Sequence, residues 1–223
     1  MTSGDHSTSP VLEFVHGAGF SDIEASRRLA AEPGLSTVGL DYTQFVPGDD
    51  DCAAEHVFLL RHGAAVATLW MRDRPALPPE ARDRRDFPPA TCMLERLAAR
   101  DRAGGGCSYR LLLTFWATQW LVAHRSLRAV AGICRTDAVH RYTPLGFRET
   151  GGWFHVGGPT GHSFVVVQAD ARHVIDTGRA LGLQYVLDSA VAAAAGRGLV
   201  SDELAWAARW SGPDRSTTAV GVR

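Results

Sequence analysis

Two apolar runs of strand length, HVFLLR from His56 to Arg61 and AAVATLWM from Ala64 to Met71, flank His62-Gly63, and this pattern predicts a β-hairpin. The stretch from Arg72 to Ala90 carries five prolines among many charges and reads as an exposed connection. A strand follows at Thr91–Ala99, TCMLERLAA, closed by a glycine-rich turn, and Ser108–His124, SYRLLLTFWATQWLVAH, is long and apolar enough for a buried helix. Leu127–Cys134 predicts another strand. Asp137 caps a short helix through Tyr142 that Pro144 and Gly146 stop, and Trp153–Val156 and Ser163–Gln168 complete the set. The predicted order is βββαβαββ. Upstream, Asp22–Ala31 predicts a short helix, and residues 1 to 10 are polar and frayed.

After Ala169 the pattern changes to alanine-rich helical faces, enough for two or three helices. The expected organisation is one α+β domain over 1–169 and a helical C-terminal extension over 170–223, which would serve as a dimer face, a lid or a docking element. The chain has 45% hydrophobic residues in 223, ample for a buried core. Its formal charge is −1, so no global field would hold it on nucleic acid. All 23 basic residues are arginine, which excludes lysine Schiff-base chemistry. Cys52, Cys92, Cys107 and Cys134 form no C-x-x-C pair and are expected as reduced thiols, with no metal site. No leader pattern or continuous apolar span stands out, and the expectation is a soluble cytoplasmic protein with no membrane partner.

Candidate chemistry concentrates in two places. The strand, glycine turn and helix from Met93 to Trp120 would aim several backbone N–H groups at one point, an arrangement suited to phosphate. Arg102, Gly105 and Cys107 fit R-x-x-G-x-[GA] except at its last position. The second place is RYTPLGF, Arg141–Phe147, where a tyrosine at a helix end is able to protonate a leaving group. Each has a simpler alternative, an ordinary turn and a packed aromatic.

The pairing of RAGGGC before a long helix with YTPLGF before a strand resembles the GNAT N-acyltransferase superfamily, over about Asp51 to Val167. The resemblance implies a mixed, mostly antiparallel central sheet flanked by helices. It also implies a pantetheine thioester held between two splayed strands, here Met93–Ala99 and Val130–Cys134. The aspartates at 49 to 51, the hairpin ending near Arg72 and the strand bearing Arg96 are similar to N-acyl amino acid synthases and acyl-homoserine-lactone synthases, branches that commonly draw on acyl carrier proteins. Two departures stand out. Met93, not a glutamate, lies three residues before Arg96, and the first 30 residues hold no tryptophan, which disfavours a quorum-signal synthase.

Under this resemblance the donor would lie along Leu97, Ala98 and Ala99 and the turn of Arg102, Gly104, Gly105, Gly106 and Cys107. It would be a 4'-phosphopantetheine thioester on an acyl carrier protein or on coenzyme A, with nothing tightly bound otherwise. Tyr142 would be the general acid and Glu95 the base, with His140 as a second candidate. Trp70, Arg72, Arg96 and Phe154 would receive a small amine. In a regular strand the adjacent Glu95 and Arg96 face opposite sides, unless a bulge intervenes. The expected function is N-acyl transfer in a specialised biosynthetic pathway. The alternatives are a coenzyme-A-dependent acetyltransferase and a catalytically silent binding domain of the same fold.

Overall fold

The described strands, most of them buried along nearly continuous runs, form one seven-stranded sheet whose strand order is β1-β2-β3-β4-β5-β7-β6. The computed structural model describes residues 12–17, 28–29, 55–61, 64–73, 87–100, 108–156 and 162–188. The strands are β1 (Leu12–Gly17), β2 (Glu55–Arg61), β3 (Ala64–Arg72), β4 (Thr91–Ala99), β5 (Ala129–Arg135), β6 (Arg148–Val156) and β7 (His162–Asp170). All neighbours pair antiparallel except β4 and β5. The mixed, mostly antiparallel α+β architecture expected from the sequence is the one observed. β1, whose alternating LEFVHG was not read as a strand, adds to the hairpin edge, and β6 begins five residues earlier than predicted. Of the predicted Asp22–Ala31 helix, Arg28 and Leu29 are helical and the rest lies outside the described residues.

Helix α1 (Tyr109–Arg125) crosses one face of the sheet. Ser108 caps it by accepting from the Leu111 N–H at 3.4 Å, and Ser126 ends it in the left-handed conformation. The middle of the helix is buried almost all round, with Leu112, Leu113, Phe115, Trp116 and Ala117 fully enclosed. Phe14 of β1 stacks on Trp116 at 5.1 Å between ring centroids, which ties the edge strand to the helix. At the other end Arg125 pairs with Glu55 of β2 and with Asp73 just beyond β3. The predicted short helix after β5 is two 3₁₀ turns, Thr136–Arg141 and Thr143–Leu145, because Pro144 supplies no N–H to an α-helical ladder.

Helix α2 (Ala171–Ala180) starts where Asp170 accepts the His173 N–H at 2.9 Å. Its buried face, Ala171, Val174, Ile175 and Gly178, joins the α1 side of the core, as do Leu183 and Leu187 beyond it. Residues 189–223 lie outside the described residues. Gly178 sets the distance between the helices, since a Cβ there would stand 2.2 Å from Phe115 Cδ2. Alanine is the better helix former, yet Gly178→Ala should destabilise the fold by roughly 1–3 kcal/mol through overpacking against Phe115. Urea unfolding of the two proteins checks this; a more stable variant would show that the α1–α2 contact is loose.

Candidate active site

Strands β4 and β5 pair in parallel through only three positions, Thr91 with Ala129, Cys92 with Val130 and Met93 with Ala131. Beyond Met93, β5 continues against β7 as far as Arg135 while β4 stays with β3. A gap therefore opens between the two central strands. Gly132 stands at its vertex, where a Cβ would lie 3.0 Å from the Leu94 carbonyl oxygen, so a side chain would drive the strands apart at their last point of approach.

On the α1 side the gap adjoins a narrow cleft with room of ≈ 20 Å³. Leu94, Leu97, Ile133, Phe147 and Val167 give it an apolar wall, and Thr114, Cys134, Tyr142 and Arg96 also line it. Tyr142 is 7% exposed and meets Phe147 edge-on at 6.0 Å between centroids. Its turn is held by backbone bonds, Tyr142 N–H to the Val139 carbonyl at 2.9 Å and Leu145 N–H to the Tyr142 carbonyl at 3.0 Å. Gly146 closes that turn with φ of 82° directly against the His173 ring of α2, a conformation and a proximity that both demand glycine.

The pairing register of β3 and β4 shifts between Thr68, opposite Ala98, and Trp70, opposite Glu95, so Arg96 and Leu97 together face Leu69. Arg96 takes φ of 49°, and this is a β-bulge. This is the bulge under which the adjacent Glu95 and Arg96 need not face opposite sides of the sheet. Before the bulge Cys92 and Leu94 join the α1-side core, and after it Leu97 and Ala99 do. Met93 and Ala98 lie on the other face, with Phe154, Phe164 and Ala131. Glu95 lies opposite Trp70, and the Arg96 guanidinium lies over the Trp70 ring at 3.9 Å, so both side chains gather on the face away from α1. The left-handed backbone costs Arg96 roughly 1–2 kcal/mol, and a cation over a desolvated indole offsets about that much.

Glu95 also pairs with Arg72, Oε2 to Nε at 3.4 Å, and Trp70 packs edge-on against buried His56. Trp70, Arg72, Glu95 and Arg96 thus form one contiguous group on β3 and β4. Phe154 shares their face but sits across the gap on β6, stacked on Phe164. Leu97 lines the cleft, whereas Ala98 turns to the opposite face and Ala99 to the α1-side core. His140 is exposed on its 3₁₀ turn and is not part of the cleft wall. Arg102, Gly104, Gly105, Gly106 and Cys107 lie outside the described residues. The sequence reading passed over Thr114, Gly132 and Cys134; a lone glycine inside AVAGICR was a signal of close backbone approach, and nothing in the pattern marked the other two.

No protein-family model and no curated protein sequence matches the chain. Solved structures do. The CoA-dependent acyl-homoserine lactone synthase BjaI, solved with SAM and isopentyl-CoA, aligns at a TM-score of 0.54 with 18% identity, over 78% of this chain and 90% of its own. FeeM, an N-acyl amino acid synthase from uncultured soil microbes, aligns at 0.53 with 13% identity, over 75% and 94%. The AHL synthase LasI aligns at 0.52 with 12% identity, over 74% and 91%. The chain has the GNAT fold. Within that GNAT fold the splayed strands are β4 and β5, as the resemblance implied. Among the described residues no helix is long and apolar enough to cross a membrane.

Cys134 in the cleft wall and Cys92 near its vertex are chemically quiet. Burial pushes each thiol from its ordinary 9.0 up to about 12, with nearby carboxylates adding to the effect. In the unfolded chain the same thiols ionise near their ordinary value, so the stability contributed by keeping them neutral is complete below 9.0 and is lost as pH rises toward about 12. Neither thiol should react with iodoacetamide in mildly alkaline buffer while the protein is folded, and both should react on denaturation. Peptide mass spectrometry reads this, and rapid labelling of Cys134 in the native state would show the cleft to be wetter than its packing indicates.

Proposed function

We propose that this protein is a thioester-dependent N-acyltransferase that moves an acyl group from pantetheine sulfur to a small amine. The observation that carries the reading is the end of β4–β5 pairing at Met93, beside which lie a cleft containing Tyr142 on the α1 side and the group of Trp70, Arg72, Glu95 and Arg96 on the other face. A slender thioester arm fits the gap left there. Beyond Met93 the pairing of β4 with β5 ends, and a thioester arm would run alongside β4 there in the manner of an added strand.

In the reaction the amine nitrogen attacks the thioester carbonyl carbon, a C–N bond forms and the C–S bond breaks. Glu95 would take the proton the amine sheds, and Tyr142 would return one to the departing sulfur. Approach of the amine from the Trp70 side and of the donor from the α1 side keeps the two reactants from competing for one entrance. The glycine turn after β4, from Arg102 to Cys107, would hold the phosphate end of the donor.

For the donor we favour an acyl carrier protein, supported by the similarity of the segment from Asp49 to Arg96 to the N-acyl amino acid synthases, and a role in a specialised biosynthetic pathway follows. A coenzyme-A donor is the second reading, favoured by the likeness to BjaI, which is described as CoA-dependent. The helical segment that begins with α2 would be available to a carrier or to a second copy of the chain.

Titration of the purified protein with coenzyme A and with phosphopantetheinylated acyl carrier protein separates these readings. Tighter binding of the carrier is expected; binding of coenzyme A alone would move the donor assignment to the second reading, and binding of neither would remove it. Tyr142→Phe and Glu95→Gln should each lower kcat about a hundredfold while the far-ultraviolet spectrum stays unchanged. Full function of both variants would indicate a binding domain instead of an enzyme.

A further inference from the structure

Tyr142 belongs to a short unit of backbone whose parts move together. Leu145 N–H bonds to the Tyr142 carbonyl at 3.0 Å and Gly146 N–H to the Thr143 carbonyl at 2.8 Å, so a displacement of Gly146 is passed to Tyr142 within one turn. Fully buried Leu145 anchors this unit from inside, while Thr143 and Pro144 are exposed. Gly146 brings no side chain of its own. The His173 ring of α2 stands where one would project, since a Cβ there would collide with both its Cδ2 and its Nε2.

His173 is exposed, and the buried face of α2 consists of Ala171, Val174, Ile175 and Gly178, so its ring is not what fills the core. Its footing is nevertheless firm. Its N–H donates to the Asp170 carboxylate at 2.9 Å, Asp170 pairs with Ala129 at the start of β5, and beyond α2 the buried Gln119 of α1 donates to Gln184 at 2.7 Å. An exposed ring on a rigid base, set against the glycine that closes the tyrosine turn, has the geometry of a brace. Resting on the acyltransferase reading above, in which Tyr142 protonates the departing sulfur, we propose that His173 is a positioning residue for Tyr142. It acts through Gly146, limiting the excursions of the turn so that the phenol stays within reach of the sulfur.

The test uses the full chain with its four tyrosines replaced by fluorotyrosine, the Tyr142 signal in the fluorine NMR spectrum being identified by its loss in Tyr142→Phe. In the ligand-free protein His173→Ala should broaden or shift that signal and leave the other tyrosine signals in place, whereas His173→Phe, which keeps a ring against Gly146, should preserve it. Turnover is read as thiol released from saturated acyl-pantetheine thioesters in the presence of a small primary amine. His173→Ala should lower kcat about tenfold with KM for thioester and amine unchanged, and His173→Phe should recover it. In a Tyr142→Phe background His173→Ala should cost nothing further, because the group it positions is gone. The His173→Ala protein should melt no lower than wild type, the position being exposed and alanine the better helix former.

A wild-type kcat in His173→Ala, an unmoved Tyr142 signal, a His173→Phe protein as slow as His173→Ala, or an equal fall in the Tyr142→Phe background would each overturn the assignment. In those cases the acyltransferase reading still stands, provided Tyr142→Phe is itself slow. Full turnover by Tyr142→Phe would remove that tyrosine from the reaction and this inference with it. If the wild type releases no thiol from any of the thioesters, the acyltransferase reading falls and takes the role of His173 with it, whatever the fluorine spectra show.

Discussion

Two adjacent parallel strands that stop pairing after three residues create the demand that the rest of this structure meets. Beyond Met93 and Ala131 the two central strands no longer pair, and the sheet is interrupted at its centre. Where strand pairing ends, backbone groups must find other partners or solvent, because an unmatched buried one is costly. On either side of the interruption β5 pairs with β7 along its entire length and β3 pairs with β4 on both sides of the bulge. Helix α1 covers the α1 side, fixed at one end by Phe14 on Trp116 and at the other by Arg125 on Glu55 and Asp73.

Much of this was legible in the chain because local pattern and tertiary role agree. The hairpin at 55–72, the strand at 91–99 and the helix after Ser108 announce themselves by apolar runs of the right length between turn residues. What escaped the sequence is what depends on register. Whether Glu95 and Arg96 share a face is decided by one extra residue in β4 opposite Leu69, and nothing in TCMLERLAA marks it, since Arg96 is an unusual occupant of a left-handed position. Leu12–Gly17 was missed for a different reason: one short edge strand has little pattern to show, and its pairing with β2 bridges a long stretch of chain. Thr114 lay in plain view inside an apolar helix, but only the packed structure shows that its hydroxyl goes unmatched while that of Thr118 does not.

The two glycines against α1 and α2 show how the C-terminal half is bound to the site. Gly178 lets α2 settle against Phe115, and Gly146 lets His173 of the same helix press on the turn that carries Tyr142. A helix that follows the last strand in sequence therefore fixes the position of a tyrosine between the fifth and sixth. Asp170, which caps α2, is also the residue paired with Ala129 at the start of β5. The base of the cleft and the support of its wall begin from the same point in the sheet.

The bulge in β4 places opposing obligations on neighbouring residues of a single strand. Leu94 and Leu97 shape one side of the sheet, Glu95 shapes the other, and Arg96 between them reaches both the cleft and Trp70. Descendants of this sequence therefore cannot revise their two substrates independently. A change that suits a new acyl group shifts the backbone from which the amine is received, so the order in which substitutions accumulate will govern which pairs of substrates the lineage can reach.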